Sequence, residues 1–339
     1  MKGRSTRTPE DGGRALDRNI LDIFRGNEGR LVSGEELSGA LQVSRTAIWK
    51  HIKSLRELGY RIEAMPSRGY RLLAAPDLLI PTEISAGLQI SRIGRRLVCY
   101  RETGSTNDDA FKLAEEGVEE GTVVLAEAQS HGKGRLGRRW ESPAGLNLYC
   151  SVILRPPILP VRAAQLTFLS VVATARAIEA VTSLRPSIKW PNDLLLNGKK
   201  VAGLLNEMSA ETEKVNFIVL GIGVNINMGL EQFPDDLRHP ATSLLLEAGR
   251  PVRRLDLARA LLEALDALYD SYLLNGYGPV REEWLARCSF LGRRIRVNFQ
   301  DNELQGTAEG IDEEGALLVR TPDGGLERVL AGDVTILGG

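Results

Sequence analysis

Apolar residues recur with the period of an α-helix along the first sixty residues of the chain. A first helix is predicted over residues 14–24, and its apolar face consists of Leu16, Ile20, Leu21 and Phe24. A second helix should start after Ser33, which forms a capping box with Glu36. A third helix is predicted from its N-cap, Ser44, to Leu58. Its apolar face consists of Ile48, Ile52, Leu55 and Leu58. Because only a short turn joins the second and third helices, they predict a helix-turn-helix.

After Gly59 the helical period gives way to the alternation of apolar and polar residues that is typical of β-strands. Alternating segments at residues 60–64 and 70–73 flank a turn and predict the wing of a winged helix-turn-helix. If this winged helix-turn-helix binds DNA, we expect three side chains to face base edges, namely Arg45, Thr46 and Lys50. Two further side chains should face phosphates, namely Lys53 and Arg68. A winged helix that makes only protein contacts is the alternative.

Strand and helix signals are mixed from a connector at residues 74–81 onward. Strands are predicted over residues 122–127, 147–154 and 215–226. A hairpin should turn at Asn197 and Gly198. A nearly all-apolar helix over residues 163–181 should be buried, and an amphipathic helix over residues 255–274 closes this region. Several short alternating segments follow, and they predict a small β-barrel.

These elements predict an α+β chain of three domains. They are a winged helix-turn-helix DNA-binding domain at residues 1–76, a central mixed α/β catalytic domain at residues 77–289 and a small C-terminal β-barrel at residues 290–339. Residues 1–76 contain 14 Lys and Arg against 9 Asp and Glu, whereas residues 77–339 contain 29 basic and 35 acidic residues. A basic N-terminal domain followed by an acidic remainder of the chain is expected when the N-terminal domain binds nucleic acid.

Composition narrows the classes of protein further. No apolar run approaches the roughly 18 residues of a transmembrane helix, so we expect no membrane partner. The polar N-terminus lacks the apolar core of a signal peptide. Three widely spaced cysteines without a C-x-x-C pair predict reduced thiols and a cytoplasmic protein. The three histidines show no metal-ligand spacing, so we expect no structural metal site.

Residues 132–140 hold three glycines, four basic side chains and a terminal tryptophan. Glycine lets backbone N–H groups approach a ligand closely, and the interleaved basic side chains suit phosphate and carboxylate oxygens. A mobile surface loop is the other interpretation. The glycines also match G-x-G-x-x-G, but no helix is predicted after them, so a dinucleotide-binding motif is rejected. A P-loop is rejected because no Gly-Lys-Ser or Gly-Lys-Thr ends the run.

Four motifs stand in a fixed order along the central region. They are Ser105-Thr106-Asn107, Gln129 ahead of the glycine-rich loop, Lys189-Trp190-Pro191-Asn192-Asp193 and Gly221-Ile222-Gly223-Val224-Asn225. In this order they resemble the motifs of biotin protein ligases, and the resemblance extends over essentially the whole chain. With its N-terminal head the chain is similar to the bifunctional members, which are also repressors of the biotin operon. The resemblance implies an SH3-like C-terminal barrel.

The resemblance implies a ligase that joins biotin to a lysine of a biotin carboxyl carrier protein. The biotin carboxylate attacks the α-phosphate of ATP, which carries Mg²⁺, and the acceptor lysine then attacks the resulting biotinyl-5′-AMP. Because negative charge develops on phosphoryl and carboxyl oxygens in both steps, fixed positive charge and backbone donors are the expected catalytic tools.

Roles for individual residues are implied where the chain matches the family motifs. Lys189 should bridge the biotin carboxylate and the α-phosphate, Arg135 should hold the adenylate, and Arg138 should hold the departing pyrophosphate. Implied biotin contacts come from Ser105, Thr106, Asn107, Gln129, Lys133, Gly134, Arg135 and Lys189. Implied nucleotide contacts come from Arg135, Arg138, Trp140, Asn192 and Asn225. The glycine-rich loop then becomes a lid that orders over the adenylate.

Two positions depart from the family pattern. Lys133 stands where arginine is common, which keeps the charge but loses the bidentate fork, and Leu136 stands where a basic residue can occur. The head implies a homodimer that binds operator DNA with the adenylate as corepressor. Two alternatives stay open, a biotin-sensing regulator that has lost ligation and a lipoate or octanoate ligase on the same scaffold.

Overall fold

The computed structural model of this chain describes residues 9–27, 29–235, 237, 240–299 and 302–337, with side chains from residue 16 onward. The N-terminal residues 1–8, part of the polar segment discussed above, lie outside the described residues. Contacts divide the chain into two compact units, Met1–Asp77 and Leu78–Gly339. The domain boundary predicted between residues 289 and 290 falls inside the second unit and stays a prediction.

The first unit is a winged helix-turn-helix. Its elements are α1 (Pro9–Gly26), α2 (Gly34–Leu41), α3 (Arg45–Glu57), β1 (Arg61–Met65) and β2 (Gly69–Ala74). The predicted N-caps are confirmed, because Ser33 Oγ accepts from the Glu36 N–H at 3.0 Å and Ser44 Oγ accepts from the Ala47 N–H at 3.2 Å. Strands β1 and β2 pair antiparallel and form the wing.

The predicted apolar face of α3 is correct at three positions and wrong at the fourth. Ile48, Ile52 and Leu55 are buried, whereas Leu58 is 45% exposed. Helix α3 ends at Glu57, so Leu58 lies at the C-cap, beyond the last turn that packs on the core. Gly59 follows with a φ of 95°. This left-handed conformation favours glycine, and it redirects the chain toward β1.

The second unit is built on a seven-stranded sheet. Its strands are β3 (Leu97–Tyr100), β4 (Val123–Ala126), β5 (Leu148–Leu154), β6 (Ser187–Lys189), β7 (Asp193–Leu196), β8 (Lys199–Ala210) and β9 (Val215–Val224). Their order in the sheet is β3-β4-β5-β9-β8-β7-β6. Only β3 and β4 pair in parallel among the described strands. The predicted hairpin is confirmed between β7 and β8, where Asn197 and Gly198 have φ values of 49° and 77° as a type I′ turn requires.

Helices cover both faces of this sheet. They are α4 (Pro81–Ile84), α5 (Thr106–Glu115), α6 (Ala164–Thr182), α7 (Leu244–Ala248), α8 (Arg254–Asn275) and α9 (Gly278–Arg287). Helix α5 packs on one face, where Ala110 and Ala114 share a core with Val124 and Ile153. The neighbouring strand residues point to the opposite face, where α6 packs on the sheet with α8 and α9 against it.

Helix α6 is the central helix of this layered core. The segment Pro160–Thr182 is long and apolar enough to cross a membrane, but 67% of its apolar window is buried inside the protein. Burial of that kind is typical of the core helix of a folded domain. The helix predicted from the all-apolar pattern over residues 163–181 is therefore present, and the structure buries it as expected.

The C-terminal strands form one antiparallel sheet that packs on the central helices. They are β10 (Arg294–Phe299), β11 (Asn302–Ile311), β12 (Leu317–Arg320), β13 (Leu326–Val329) and β14 (Asp333–Ile336), in the order β13-β12-β11-β10-β14. The turn between β11 and β12 contacts the central region. There Gln165 Nε2 donates to the Glu313 carbonyl at 2.6 Å, and Trp190 Nε1 donates to the Gly315 carbonyl at 3.2 Å. This turn therefore links the C-terminal strands to the residue that follows Lys189.

Substitution of Gly315 tests how much the packing of the β11–β12 turn against Phe168 contributes to stability. Its φ is +86°, and a Cβ there would collide with the Phe168 ring, whose Cζ would lie 3.0 Å away. Gly315→Ala should lower the free energy of unfolding of the second unit by about 2–4 kcal/mol, measured by urea denaturation, because a left-handed φ and overpacking both cost stability. Gly324, with a φ of +90° and open space around it, is the matched control, and Gly324→Ala should cost only about 1–2 kcal/mol. Equal losses in the two variants would contradict this account of the contact.

Candidate active site

Three glycines form the floor of a cleft at the centre of the seven-stranded sheet. Gly203 on β8 and Gly223 on β9 are direct partners in the ladder. A Cβ on Gly203 would lie 2.9 Å from Trp140 Cζ3, and one on Gly223 would lie 2.6 Å from Trp140 Cε2. A Cβ on Gly221 would collide with the Asn107 side chain. The floor therefore needs glycine because aromatic and amide groups lie directly on the backbone.

Polar side chains at the start of α5 line the same cleft and are fixed by a hydrogen-bond network. The Thr106 N–H and hydroxyl donate to Gln129 Oε1 at 2.8 and 3.1 Å. Gln129 Nε2 in turn donates to Ser142 Oγ at 2.9 Å. Asn107 Nδ2 donates to Glu207 Oε2 at 2.7 Å. These bonds fix the orientation of the predicted biotin-binding side chains before a ligand binds.

Ser105 differs from its neighbours in this cleft. It occupies the N-cap position of α5 and is 2% exposed, but its side chain makes no cap hydrogen bond. The structure therefore does not give the Ser105 hydroxyl the role of a helix cap. The hydroxyl instead lines the cleft together with Thr106, Asn107 and Gln129.

The glycine-rich loop lies over one side of the cleft and is closed by its own backbone. The Trp140 N–H donates to the Gly132 carbonyl at 2.8 Å, and the Gly134 N–H donates to the Arg138 carbonyl at 2.7 Å. Lys133 forms an ion pair with Asp108, and its Nζ lies 4.0 Å from Glu207 Oε1. Leu136 is 74% exposed at the tip. The departure at Lys133 is thus matched by two carboxylates, which hold the lysine as a point charge.

Two arginines of the loop contact the C-terminal sheet and the Lys189–Asp193 motif. Arg135 Nη1 donates to Asn192 Oδ1 at 3.1 Å and to the Gly332 carbonyl at 3.4 Å. Arg138 forms an ion pair with Asp333. Burial lowers the pKa of Arg135. Burial alone would raise the pKa of Asp333, but Arg138 and the neighbouring cations lower it overall. The two arginines therefore stand at a junction of loop, sheet and C-terminal strands.

Lys189 is the last residue of β6 and is partly buried beside this junction. Its side chain makes no hydrogen bond or ion pair with any residue that the structure describes. Burial is the largest cause that lowers its pKa, and Lys200 and Arg138 lower it further, whereas Asp193 and Asp333 raise it. A lysine in this environment has free donors and a charge that an incoming anion would stabilise.

Both asparagines predicted at the nucleotide side are buried and already hydrogen-bonded. Asn192 Nδ2 donates to the Leu204 carbonyl, while its Oδ1 accepts from Arg135. Asn225 Nδ2 donates to the Thr242 carbonyl at 3.1 Å. Each amide therefore anchors a neighbouring segment, and the predicted nucleotide contacts of these two residues stay predictions.

Several residues around the cleft were not among those predicted. Asp193 and Lys200 form an ion pair of 2.7 Å between β7 and β8. Asp333 pairs with Arg138, and Glu207 accepts from Asn107. The hairpin pattern placed Asp193 and Lys200 on adjacent strands, so it carried a signal for the first pair. No local pattern marked Asp333, since it lies far from the loop along the chain.

The described cysteines are poor candidates for a nucleophile, and the described residues contain no metal-ligand cluster. Burial raises the pKa of Cys99 and Cys150 to about 12 and that of Cys288 to about 11. Such thiols stay protonated near neutral pH and are poor nucleophiles. Among residues 9–27, 29–235, 237, 240–299 and 302–337, no cluster of three or more His, Cys, Asp or Glu side chains is arranged to hold a metal ion.

In the first unit, the predicted DNA-contacting side chains lie on the exposed side of α3 and on the wing. Arg45, Thr46, Lys50, Lys53 and Arg68 are all exposed. Arg45 pairs with Glu35 at 2.6 Å, and Lys53 lies 4.0 Å from Glu57. A groove of about 460 Å³ between α3 and the wing is lined by Arg45, Trp49 and Arg68, among others. Trp49, which the sequence analysis did not select, is 55% exposed there.

Three known protein families match three successive parts of this chain. The helix-turn-helix domain family matches residues 17–71, the biotin/lipoate A/B protein ligase family matches residues 99–225, and the biotin protein ligase C-terminal domain matches residues 290–337. The bifunctional ligase/repressor BirA of Bacillus spizizenii is 37% identical over 95% of this chain and 98% of its own length. BirA of Escherichia coli is 32% identical over 91% of this chain and 94% of its own length.

A solved structure is similar in fold to most of this chain. The biotin protein ligase from Aquifex aeolicus, in complex with biotin and ATP, superposes with a TM-score of 0.62 and 27% sequence identity. The match covers 72% of this chain and 100% of that chain. The fold that carries the cleft is therefore that of a known ligand-binding enzyme.

The environment of Lys189 predicts an unusual titration. Because its pKa is lowered, Lys189 should become deprotonated and reactive at lower pH than the amine of a model lysine peptide. Competitive labelling of the protein and the peptide with an amine reagent between about pH 7 and 11, read by mass spectrometry, would give both midpoints. Asp333→Asn should lower the Lys189 midpoint further, because the Asp333 carboxylate favours the charged form. A Lys189 midpoint equal to or above that of the model peptide would contradict the assignment.

Proposed function

The chain belongs to the family of bifunctional biotin ligase/repressors, and we propose that it activates biotin with Mg-ATP and transfers it to a protein lysine. In the first step a carboxylate oxygen of biotin bonds to the α-phosphorus, and pyrophosphate leaves. In the second step the ε-amine of a lysine on a biotin carboxyl carrier protein bonds to the carbonyl carbon, and AMP leaves as a proton departs. The observation that carries this proposal is the partly buried Lys189, whose side chain has no partner among the described residues and lies close enough to Arg138 to feel its charge.

The three cations would act together on the first step. Lys189 would contact the biotin carboxylate and the α-phosphate, since its ammonium has no competing partner among the described residues. Arg135 and Arg138 would hold the adenylate and the pyrophosphate by exchanging their present acceptors for phosphate oxygens. In a partly buried site such charges act more strongly than in water and need no reorganisation at the moment of reaction.

The hydrogen-bonded side of the cleft would hold biotin. Thr106, Asn107 and Gln129 are oriented by their network, and Ser105 offers a hydroxyl without a cap bond. Lys133 and Gly134 would close the biotin side from the loop. On the nucleotide side we place Trp140, Asn192 and Asn225. Such an arrangement, with polar groups fixed before binding, reduces the entropy lost when the ligand is ordered.

Mg²⁺ is proposed as part of the ATP substrate. Asp193 and Asp333 are the carboxylates that raise the pKa of Lys189, and both are paired with cations, Lys200 and Arg138. This donor set does not form a dedicated cage, which fits a metal that is held mainly by substrate phosphates.

The first unit would make this enzyme a repressor of biotin synthesis. Its basic, exposed α3 and wing suit operator DNA, and a homodimer would match a two-fold symmetric operator. Binding of the adenylate would favour the dimer if the dimer binds it more tightly. We place the protein in the cytoplasm, where ATP is available and where its three cysteines, which form no disulfide, stay reduced.

A lipoate ligase is the second candidate, because the family model that matches residues 99–225 includes lipoate ligases. The Lys189–Asp193 motif favours biotin. Competition between biotin and lipoate for the same site would decide between the two acids. A biotin-sensing regulator without ligation would bind biotin and DNA but would not modify a carrier protein.

Lys189→Ala tests the proposed chemistry of the first step. Biotin-dependent exchange of pyrophosphate into ATP should fall by about 10²-fold or more, since the lost charge stabilises the developing oxyanions. Lys199→Ala is the control, because Lys199 is exposed on the same hairpin. Exchange at the wild-type rate in Lys189→Ala would remove this residue from the mechanism.

Arg68→Ala tests the proposed DNA contact of the wing. Affinity should fall by a similar factor for operator DNA and for unrelated DNA sequences. The slope of the logarithm of the binding constant against the logarithm of the salt concentration should decrease in magnitude by about 1. Mobility shifts at several salt concentrations, with and without biotin and ATP, would measure both effects. An unchanged salt slope would show that Arg68 does not contact a phosphate.

A further inference from the structure

Lys200 stands between the catalytic cations and the end of the glycine-rich loop. It follows the β7–β8 hairpin turn on β8, and its side chain is 28% exposed. Its Nζ lies 2.7 Å from Asp193 Oδ1 and 5.3 Å from the centroid of the Trp140 ring. Lys199, its exposed neighbour, points to the other face of the strand. Lys200 is therefore held by a carboxylate on one side and stacked on an indole on the other.

Trp140 lies against both the glycine floor and this lysine. The indole lies against Gly203 and Gly223, where a Cβ would not fit. Its Nε1 is buried and has no hydrogen-bond partner among the described residues, so no hydrogen bond from the indole fixes the ring. A lysine cation over the face of a tryptophan attracts it electrostatically, and the attraction is stronger where water is excluded. The glycine floor and the Lys200 cation, whose Nζ would itself lie 3.0 Å from a Cβ on Gly203, thus both contact the ring.

The same lysine also faces the phosphate side of the site. Asp193, its partner, contributes to the charge environment of both Lys189 and Arg135. Lys200 itself is close enough to Lys189 to lower the pKa of that group. Lys200 and Asp193 therefore share one charge environment with Lys189, to which we assign a phosphate contact.

We propose that Lys200 is a positioning residue for the nucleotide: anchored by Asp193, it holds the Trp140 ring on the glycine floor in the orientation that ATP requires. This inference rests on the proposed ligase function, since it assigns a role in ATP binding within the same site. Lys200 acts through Trp140, and its ammonium stays paired with Asp193 when the nucleotide binds.

Substitution of Lys200 should weaken the binding of ATP without changing the rate of the chemical step. Lys200→Met keeps the length of the side chain and removes the cation, and it should raise KM for ATP about 3- to 30-fold, the range expected for a partly desolvated cation–π contact. The kcat of biotin-dependent exchange and the KM for biotin should each stay within about two-fold, because the lost contact is equal in the ground and transition states. Lys200→Arg keeps the charge and the stacking and should restore most of the affinity. Lys199→Met is the matched control and should behave as wild type.

A double-mutant cycle tests whether Lys200 acts through the indole. In a Trp140→Leu background, Lys200→Met should change KM for ATP by less than about two-fold, because the partner is already missing. Additive effects of the two substitutions would show that Lys200 contacts the nucleotide directly and would overturn the proposal. Loss of kcat with an unchanged KM in Lys200→Met would also overturn it.

Two controls keep the outcomes distinct. Thermal unfolding is measured for each variant, and if Lys200→Met does not fold, Lys200→Gln is scored by the same criteria. A wild-type protein without biotin-dependent exchange would contradict the proposed function. An active wild-type protein together with a Lys200→Met variant that has wild-type KM for ATP would contradict this inference alone.

Discussion

The site depends on holding several positive charges close together in a partly buried place. Lys189 and Arg135 each lie close enough to Arg138 to feel its charge, and burial lowers the pKa of both. Desolvation of a cation is unfavourable unless an opposite charge compensates for it. Asp193 and Asp333 compensate in part, so that the folded protein is stable while a strong attraction for an anion is kept. This balance explains why carboxylates lie next to residues that we assign to phosphates.

The charged groups and glycines of the site come from segments that are far apart along the chain. The β7–β8 hairpin brings Asp193 and Lys200 together, and the pairing of β8 with β9 brings Gly203 beside Gly223. The C-terminal sheet contributes Asp333 and the Gly332 carbonyl to the loop arginines. The C-terminal domain therefore takes part in the electrostatics of the site, a role that the sequence analysis did not assign to it.

Elements with strong local patterns could be predicted from the sequence, and the partners of the site could not. The caps at Ser33 and Ser44 and the turn at Asn197 depend on a few neighbouring residues, so their chemistry is visible in the sequence. Leu58 was misassigned because periodicity does not show where a helix ends. Asp333 and Glu207 contact the site through tertiary packing, which no local pattern encodes. The roles of the site residues came from the family resemblance, and the geometry now supplies a physical reason for several of them.

The central claim is that this chain modifies another protein with biotin by way of an adenylate. The most direct test is mass spectrometry of a biotin carboxyl carrier protein after incubation with the full chain, biotin and Mg-ATP. The account predicts the mass increase of one biotinyl group on a single lysine, and no increase when ATP or biotin is omitted. An unmodified carrier protein in the complete reaction, with biotin bound to the chain, would contradict the ligase assignment and favour a biotin-sensing regulator.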